Sequence, residues 1–239
     1  MGTAMPHYAL DQRCRPAGSL RAEGIAALLS LIKASCGVSG FELAGGQSFT
    51  GTPEAIAALL QSIMAKASVP GAGADVDIFG RLPNGGDYIA CEIHTGTNPG
   101  EPFIDHYNID FGAGGLLVDT SDFKKALLAM RPFEAFLAEL NNDDDLDAYG
   151  RQQQVGYAAP AIIRGLHYFD RQLAAQIGGL AHCLRAPASK VEPFLEGLLI
   201  QLVDEPFDPA KSEHLERQQA VMKHLGMTAS SVGVGPADR

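Results

Sequence analysis

The sequence has few basic residues for its length. Its 239 residues include 18 lysines and arginines against 28 aspartates and glutamates, which gives a formal net charge of −10. A protein that binds nucleic acid directly neutralises phosphates with basic side chains, whereas an acidic chain repels them. The composition therefore disfavours direct binding of nucleic acid. It suits a basic protein partner, because opposite charges accelerate the encounter of two proteins.

Long apolar runs and closely spaced cysteines are also missing. No stretch approaches the roughly 20 apolar residues of a membrane-spanning helix, and the N-terminus lacks the apolar region of a secretory signal. The four cysteines, Cys14, Cys36, Cys91 and Cys183, include no CxxC pair. Neither a zinc knuckle nor a redox dithiol is therefore indicated. We expect a cytoplasmic protein with free thiols and no membrane partner.

Two amphipathic helices are predicted in the first quarter of the chain. Apolar residues recur with helical spacing from Ile25 to Ile32, and Ser19 can cap that helix. The second helix opens at Thr52, with Pro53 at its first helical position. Core packing accounts for both patterns.

Strands are predicted where the hydrophobic period changes from about 3.6 to 2. Three alternating segments, at 75–80, 87–95 and about 104–111, are separated by turn-forming residues, which predicts an antiparallel meander. Apolar stretches at 180–185 and 198–203 predict buried C-terminal strands. The sequence thus predicts an α+β fold, in which amphipathic helices pack on an antiparallel sheet.

The remaining segments predict further helices and a central loop. A helix from Thr120 or Ser121 should stop at Pro132, and residues 133–140 are predicted as a strand. The polar segment 141–154 is predicted as a surface loop. We predict one α+β domain over residues 1–239, or two halves of similar size divided near 141–155.

The second half contains two more predicted helices. One covers residues 168–177 and ends at a Gly178-Gly179 break. The last begins at Asp208 or Ser212 and stops at Gly226. Its inward residues are predicted to be Leu215, Val221, Met222 and Leu225.

An alternative enzymatic function comes from the stretch CEIHTGTNPGEPFIDHYNID, residues 91–110. Alternation places Glu92 and His94 on one strand, and His106 and Asp110 on the next, together on one face. Adjacent antiparallel strands could bring these side chains to one metal ion, as in a metal-dependent hydrolase. Alternation alone also explains them as the solvated face of a hairpin. We favour that second interpretation, which needs no catalytic residue, metal or cofactor.

Negative charge is most concentrated in the run from Asp143 to Asp147. Such a loop can serve only to keep a protein soluble. It can also dock a basic partner, or occupy the place where a nuclease would bind phosphates. With the hairpin side chains added, the predicted partner-binding residues are Asp143, Asp144, Asp145, Asp147, Glu92, His94 and Glu101.

The stretch EGLLIQLVDEPFDPAKSEHLERQQAVMKHLG, residues 196–226, resembles the C-terminal portion of the immunity protein 52 family of bacterial toxin systems. The shared order is a strand, an acidic-Pro-Phe-Asp turn, a polar spacer, Glu-His and an amphipathic helix. Upstream elements follow in a similar order, but the chain has no tryptophan before Tyr168, where the family pattern would have one. The matching residues are Asp204, Glu205, Pro206, Phe207, Asp208, Glu213 and His214.

This resemblance implies an α+β cytoplasmic antitoxin. Such a protein binds and neutralises a cognate toxin of the restriction-endonuclease-like class, delivered by a type VI or contact-dependent secretion system. It acts stoichiometrically and without a cofactor, and we expect a monomer. The turn residues then have structural roles: Pro206 ends the strand and Asp208 caps the final helix.

Overall fold

The structure is a computed structural model with two compact units, Met1–Leu140 and Asn141–Arg239. Both contain strands and helices, so the predicted α+β fold is confirmed. None of the described helices is both long and apolar enough to pass through a membrane. The organisation into one domain stays a prediction. The residues that the structure describes are 8–15, 21–66, 74–83, 88–95, 105–111, 119–139 and 162–227.

The described strands of the first unit form an antiparallel sheet in the order β3-β2-β4-β5-β6-β1-β7. The predicted meander is confirmed as β4, β5 and β6, and the predicted strand after Pro132 as β7. The sequence pattern did not indicate β1, β2 or β3. The strands are β1 (Tyr8–Cys14), β2 (Gly40–Leu43), β3 (Gln47–Phe49), β4 (Ala74–Arg81), β5 (Tyr88–Thr95), β6 (Asp105–Asp110) and β7 (Glu134–Glu139).

The described part of the first unit contains three helices: α1 (Ala22–Cys36), α2 (Pro53–Lys66) and α3 (Thr120–Met130). Gly37 ends α1 with a positive φ of 69°, a conformation that glycine adopts without strain. Helix α3 is capped by Asp119, whose side chain accepts a hydrogen bond from the Ser121 amide. All three helices agree with the predicted segments. The predicted cap Ser19 lies outside the described residues.

The described residues of the second unit form three strands in the order β8-β10-β9 and three helices. The predicted strand at 198–203 is confirmed as β10, and the predicted final helix as α6. The elements are β8 (Leu166–Asp170), α4 (Arg171–Gln176), α5 (Leu180–Cys183), β9 (Lys190–Phe194), β10 (Gly197–Gln201) and α6 (Ser212–His224).

One prediction for this unit is wrong in part, and a second is wrong. The predicted helix over 168–177 is divided at Asp170, where strand β8 ends and helix α4 begins. The Asp170 side chain caps α4 by accepting hydrogen bonds from the amides of Gln172 and Leu173, at 2.9 Å each. The predicted strand over 180–185 is helix α5, of which only Cys183 is buried. An apolar run of this length fits a short helix as well as a strand, so hydrophobicity alone did not decide between them.

Candidate functional site

One face of the first-unit sheet, called the polar face below, carries polar side chains of β4, β5 and β6 together with Asp11 and Arg13 of β1 and Glu134 of β7. The strand register aligns these side chains in rows across the sheet. One row runs through five neighbouring strands, with each residue directly opposite the next. In order from β4 to β7 it is Asp75, His94, His106, Arg13 and Glu134.

The β4–β5 end of the polar face is exposed and acidic. His94 lies between two carboxylates: its Nδ1 is 2.7 Å from Asp75 Oδ1, and its Nε2 is 3.9 Å from Glu92 Oε2. The side chains of Asp75, Glu92 and His94 are 78%, 46% and 42% exposed. Exposed Asp77 lies directly opposite Glu92, and like charges in this position destabilise strand pairing. Predicted residues Glu92 and His94 therefore lie in an exposed acidic cluster with Asp75 and Asp77.

The β1–β7 end of the same face is buried and carries charges of both signs. Arg13 Nη1 donates a hydrogen bond to Glu134 Oε2 at 3.0 Å, and Arg13 Nε lies 3.6 Å from Asp11 Oδ1. Asp11 also accepts a hydrogen bond from His106 Nε2. Asp11 and Glu134 are fully buried. The polar face is therefore solvated only in part, and the prediction that His106 lies on a wet surface is wrong, since only 8% of it is exposed.

The rings of His94 and His106 stack on each other, with centroids 5.4 Å apart and an angle of 12° between their planes. The nitrogen lone pairs of an imidazole lie in the ring plane, so parallel stacked rings do not direct them to one ion. Asp110 lies opposite Ala90, away from this pair. Among the described residues no group of three or more His, Cys, Asp or Glu side chains could hold a metal ion. The described geometry therefore does not form the alternative metal site of Glu92, His94, His106 and Asp110.

The other predicted partner-binding residues cannot be placed on this face. They lie outside the described residues and stay predictions: Glu101, Asp143, Asp144, Asp145 and Asp147. The sequence pattern missed Asp75, Asp77, Asp11, Arg13 and Glu134, which the register brings to the same face. The segment YALDQRC, residues 8–14, does not alternate between polar and apolar residues and is buried throughout, so it gave no period-2 signal for β1.

The C-terminal motif of the second unit is held together by a buried histidine. His214, 3% exposed, accepts a hydrogen bond at Nδ1 from the Asp208 amide at 2.9 Å. Its Nε2 therefore carries the proton, which it donates to Glu205 Oε1 at 3.1 Å. Hydrogen bonds from Lys211 and then from His214 lower the pKa of Glu205 below its usual value. One imidazole thus fixes both ends of the acidic-Pro-Phe-Asp turn onto α6.

Two predictions for this motif need correction. Asp208 does not cap α6; its side chain accepts a hydrogen bond from the Ala210 amide, and α6 begins after Lys211 without a side-chain cap. Leu215, predicted to point inward, is 37% exposed, while His214 and Gln218 are buried in its place. Polar side chains can occupy such positions when their hydrogen bonds are satisfied, as His214 is by the turn.

Replacing His214 by alanine is expected to lower the free energy of unfolding by about 2 kcal/mol, because the Asp208 amide loses its acceptor and a buried side chain is removed. His214→Asn should recover part of this loss, since an amide oxygen can accept the same hydrogen bond. Urea unfolding followed by circular dichroism measures both. The control is Glu213→Gln, a substitution of the exposed neighbouring residue, which should change the free energy of unfolding by less than about 0.5 kcal/mol. Equal stability of His214→Ala and the control would contradict this role.

The described thiols and the other histidines offer no nucleophilic pair. None of the four cysteines forms a disulfide, and burial raises the pKa of both Cys14 and Cys91 to about 12, which keeps these two thiols protonated. The rings of His182 and His224 stack at 4.3 Å. The Nε2 atom of each hydrogen-bonds the main-chain oxygen of the other, at 2.8 and 3.1 Å. This second stacked pair joins α5 to α6.

Comparisons with known proteins show what the fold resembles. No protein-family model matches the chain, and no curated protein matches it. A solved structure, titled "Pseudomonas aeruginosa T6SS protein PA0821", has the same fold with a TM-score of 0.60. The match covers 95% of this chain and 74% of that chain, at 11% sequence identity. At this identity the likeness concerns the fold alone.

Proposed function

We propose that the chain is an immunity protein of a type VI secretion system, which binds and neutralises a cognate secreted toxin. The observation that carries this proposal is the fold likeness to a protein titled as belonging to such a system, because it extends over 95% of the chain. The C-terminal motif, with its resemblance to the immunity protein 52 family, supports the same function from the sequence. In this proposal the turn of that motif is structural, since His214 holds it from within the fold.

The negative charge of the chain supports the proposal that its partner is a basic toxin, such as a nuclease of the restriction-endonuclease-like class. An enzyme that binds a phosphate backbone carries a positive surface, and a chain with net charge −10 is attracted to it. A contact-dependent toxin would fit the same argument. Inhibition then requires binding alone, without catalysis or a cofactor.

The exposed acidic cluster of β4 and β5 is the described part of the surface that best fits this partner. Asp77 and Glu92 lie opposite each other, and their mutual repulsion weakens the strand pairing. A lysine or arginine of the toxin placed between these carboxylates would relieve the repulsion. The gain in binding free energy would then exceed that of one exposed ion pair. We include Glu92 and His94 in the binding surface, together with Glu101 and the loop residues Asp143, Asp144, Asp145 and Asp147.

The proposal predicts a tight complex that salt weakens. Where a toxin domain is encoded beside the gene of this chain, that domain is the probe, purified and titrated into the full chain by calorimetry at several salt concentrations. We expect affinity to fall as salt rises, because the attraction between exposed charges is screened. Co-expression of the chain should also restore growth to cells that produce the toxin domain.

Two charge variants divide the surface, and a third controls for net charge. Asp143/Asp144/Asp145→Asn and Asp75→Asn/Asp77→Asn/Glu92→Gln should each weaken the complex about tenfold or more. The matched control, Glu23→Gln/Glu54→Gln/Glu216→Gln, removes three exposed negative charges from helices and should change affinity far less. Affinity that does not depend on salt, and that neither acidic variant changes, would remove the acidic surface from the mechanism. The absence of any complex would contradict the proposed function itself.

A further inference from the structure

We infer that the interior of the first unit binds an ordered water molecule, which bridges the side-chain amide of Gln12, the Tyr107 hydroxyl and Arg21 Nε. The site lies on the face of the sheet opposite the polar face, and it does not depend on the proposed function. Gln12 and Tyr107 are only 0% and 1% exposed, so the ligand must be small enough to enter through local fluctuations of the fold. Water has that size and can both donate and accept hydrogen bonds.

Gln12 is a buried polar residue on the core face of β1, between Leu10 and Cys14. Neither Nε2 nor Oε1 of Gln12 has a hydrogen-bond partner among the described residues. A side-chain amide donates through its nitrogen and accepts through its oxygen, and leaving both unpaired inside a core is costly. Buried polar groups that lack a protein partner are commonly bound to ordered water.

The strand register places a second buried polar group beside Gln12. Tyr107 of β6 is its direct partner across the β1–β6 pairing, so the two side chains project from the same face of the sheet. Within the described part of the chain the Tyr107 hydroxyl also has no hydrogen-bond partner. Burial is the main cause that raises the pKa of Tyr107, so the hydroxyl keeps its proton and can both donate and accept. Two neighbouring groups that do not bond each other are suited to a bridging water.

Arg21 supplies the third group. Its Nη1 donates a hydrogen bond to the main-chain oxygen of Met130, and its Nη2 donates to that of Arg15 at 2.6 Å. The Cys14 thiol donates to the same Met130 oxygen at 3.6 Å, which places the guanidinium group beside the C-terminal end of β1. Arg21 Nε is a buried donor without a partner in the described ranges. The positive charge acts on the nearby Tyr107 hydroxyl without a hydrogen bond of good geometry between them.

The residue on the other side of Gln12 is small. Ala135 of β7 is the partner of Gln12 on the side away from Tyr107, whereas the β7 residue two positions further along is the larger Leu137. A buried water needs space and about two to four polar partners. Gln12, Tyr107 and Arg21 provide three such partners. Their chemistry is also compatible, because Arg21 Nε can only donate while the other two side chains can do either.

A high-resolution crystal structure of the full chain tests this inference directly. We expect density for a water molecule within hydrogen-bonding distance of the Gln12 amide and of at least one of the two other groups, the Tyr107 hydroxyl or Arg21 Nε. The inference is wrong if such density is absent, or if the Gln12 amide bonds directly to other groups of the protein.

Melting temperatures test the same site in solution. Gln12→Met and Tyr107→Phe each remove one partner of the water with little change of shape, and each should lower the melting temperature by about 3–6 °C. The double variant should lose less than the sum of the two single losses, since the second substitution removes a group whose bridge is already broken. Without a bound water, Gln12→Met would remove an unpaired buried amide and raise the melting temperature. That result would overturn the inference.

An apolar substitution in the same unit is the control. Ile56 of α2 is 1% exposed, and Ile56→Val weakens core packing without removing a hydrogen bond. Its loss in melting temperature should add to that of Gln12→Met, because the two side chains share no hydrogen-bonding molecule. If Gln12→Met and Tyr107→Phe are as additive as this control pair, no bridge connects Gln12 with Tyr107 and the inference is wrong.

Discussion

Replacement of Arg13 by methionine is expected to lower the free energy of unfolding by about 3–5 kcal/mol. The guanidinium group is 2% exposed and faces two fully buried carboxylates, Glu134 at 3.0 Å and Asp11 at 3.6 Å. Methionine fills a similar volume but supplies no charge. The loss therefore measures the cost of burying these carboxylates without the cation that faces them.

Thermal or urea unfolding followed by far-ultraviolet circular dichroism measures this effect, since the chain has no tryptophan for fluorescence. Arg81→Met is the matched control: Arg81 lies on the same sheet and pairs with Glu42 at 2.7 Å, but its side chain is 57% exposed. We expect the control to lose less than about 1 kcal/mol. The double variant Arg13→Met/Glu134→Met also removes the buried charge of Glu134, so it should be more stable than Arg13→Met alone. A loss below about 1 kcal/mol in Arg13→Met would contradict the importance of this network.

The exposed half of the candidate site could be predicted from the sequence better than the buried half. Alternation in β5 correctly placed Glu92 and His94 on one face, because the period of a strand is a local property. The partners of the buried half are far apart in sequence. Arg13 and Glu134 are separated by 121 positions, and His106 and Asp11 by 95. A local sequence pattern does not reveal which distant strands pair or in which register. The pairing of β1 with β6 of the meander was therefore missed, and with it the position of the charged residues of β1.

The fold of the second unit illustrates a different limit. The prediction of α6 succeeded because its helical spacing and Gly226 are local signals. The inward position given to Leu215 is wrong because hydrophobicity alone was used to assign it. His214 is buried there since two groups of the preceding turn satisfy its ring nitrogens. Which polar residue finds such partners depends on tertiary contacts that a single sequence does not reveal.

Substitution of Gly197 by alanine is expected to destabilise the second unit by about 3 kcal/mol or more. Gly197 begins β10 and is the register partner of Asp170, the residue that ends β8 and caps α4. A Cβ atom at position 197 would lie 2.1 Å from the main-chain oxygen of Phe169 and 2.7 Å from Asp170 Cα. Both are backbone atoms, so no side-chain rotation can relieve the contact. Strand β10 would have to move away from β8.

Gly40→Ala is the matched control for this prediction, because a Cβ atom there has no neighbour within 4 Å. It should change the melting temperature by no more than a few degrees, whereas Gly197→Ala should lower it by 10 °C or more, on the order of the shift that about 3 kcal/mol produces in a domain of this size. Hydrogen exchange would localise the effect to amides of β8 and β10, since those strands pair at the substituted position. Unchanged stability of Gly197→Ala would mean that β8 and β10 do not pair in the register that places Gly197 opposite Asp170.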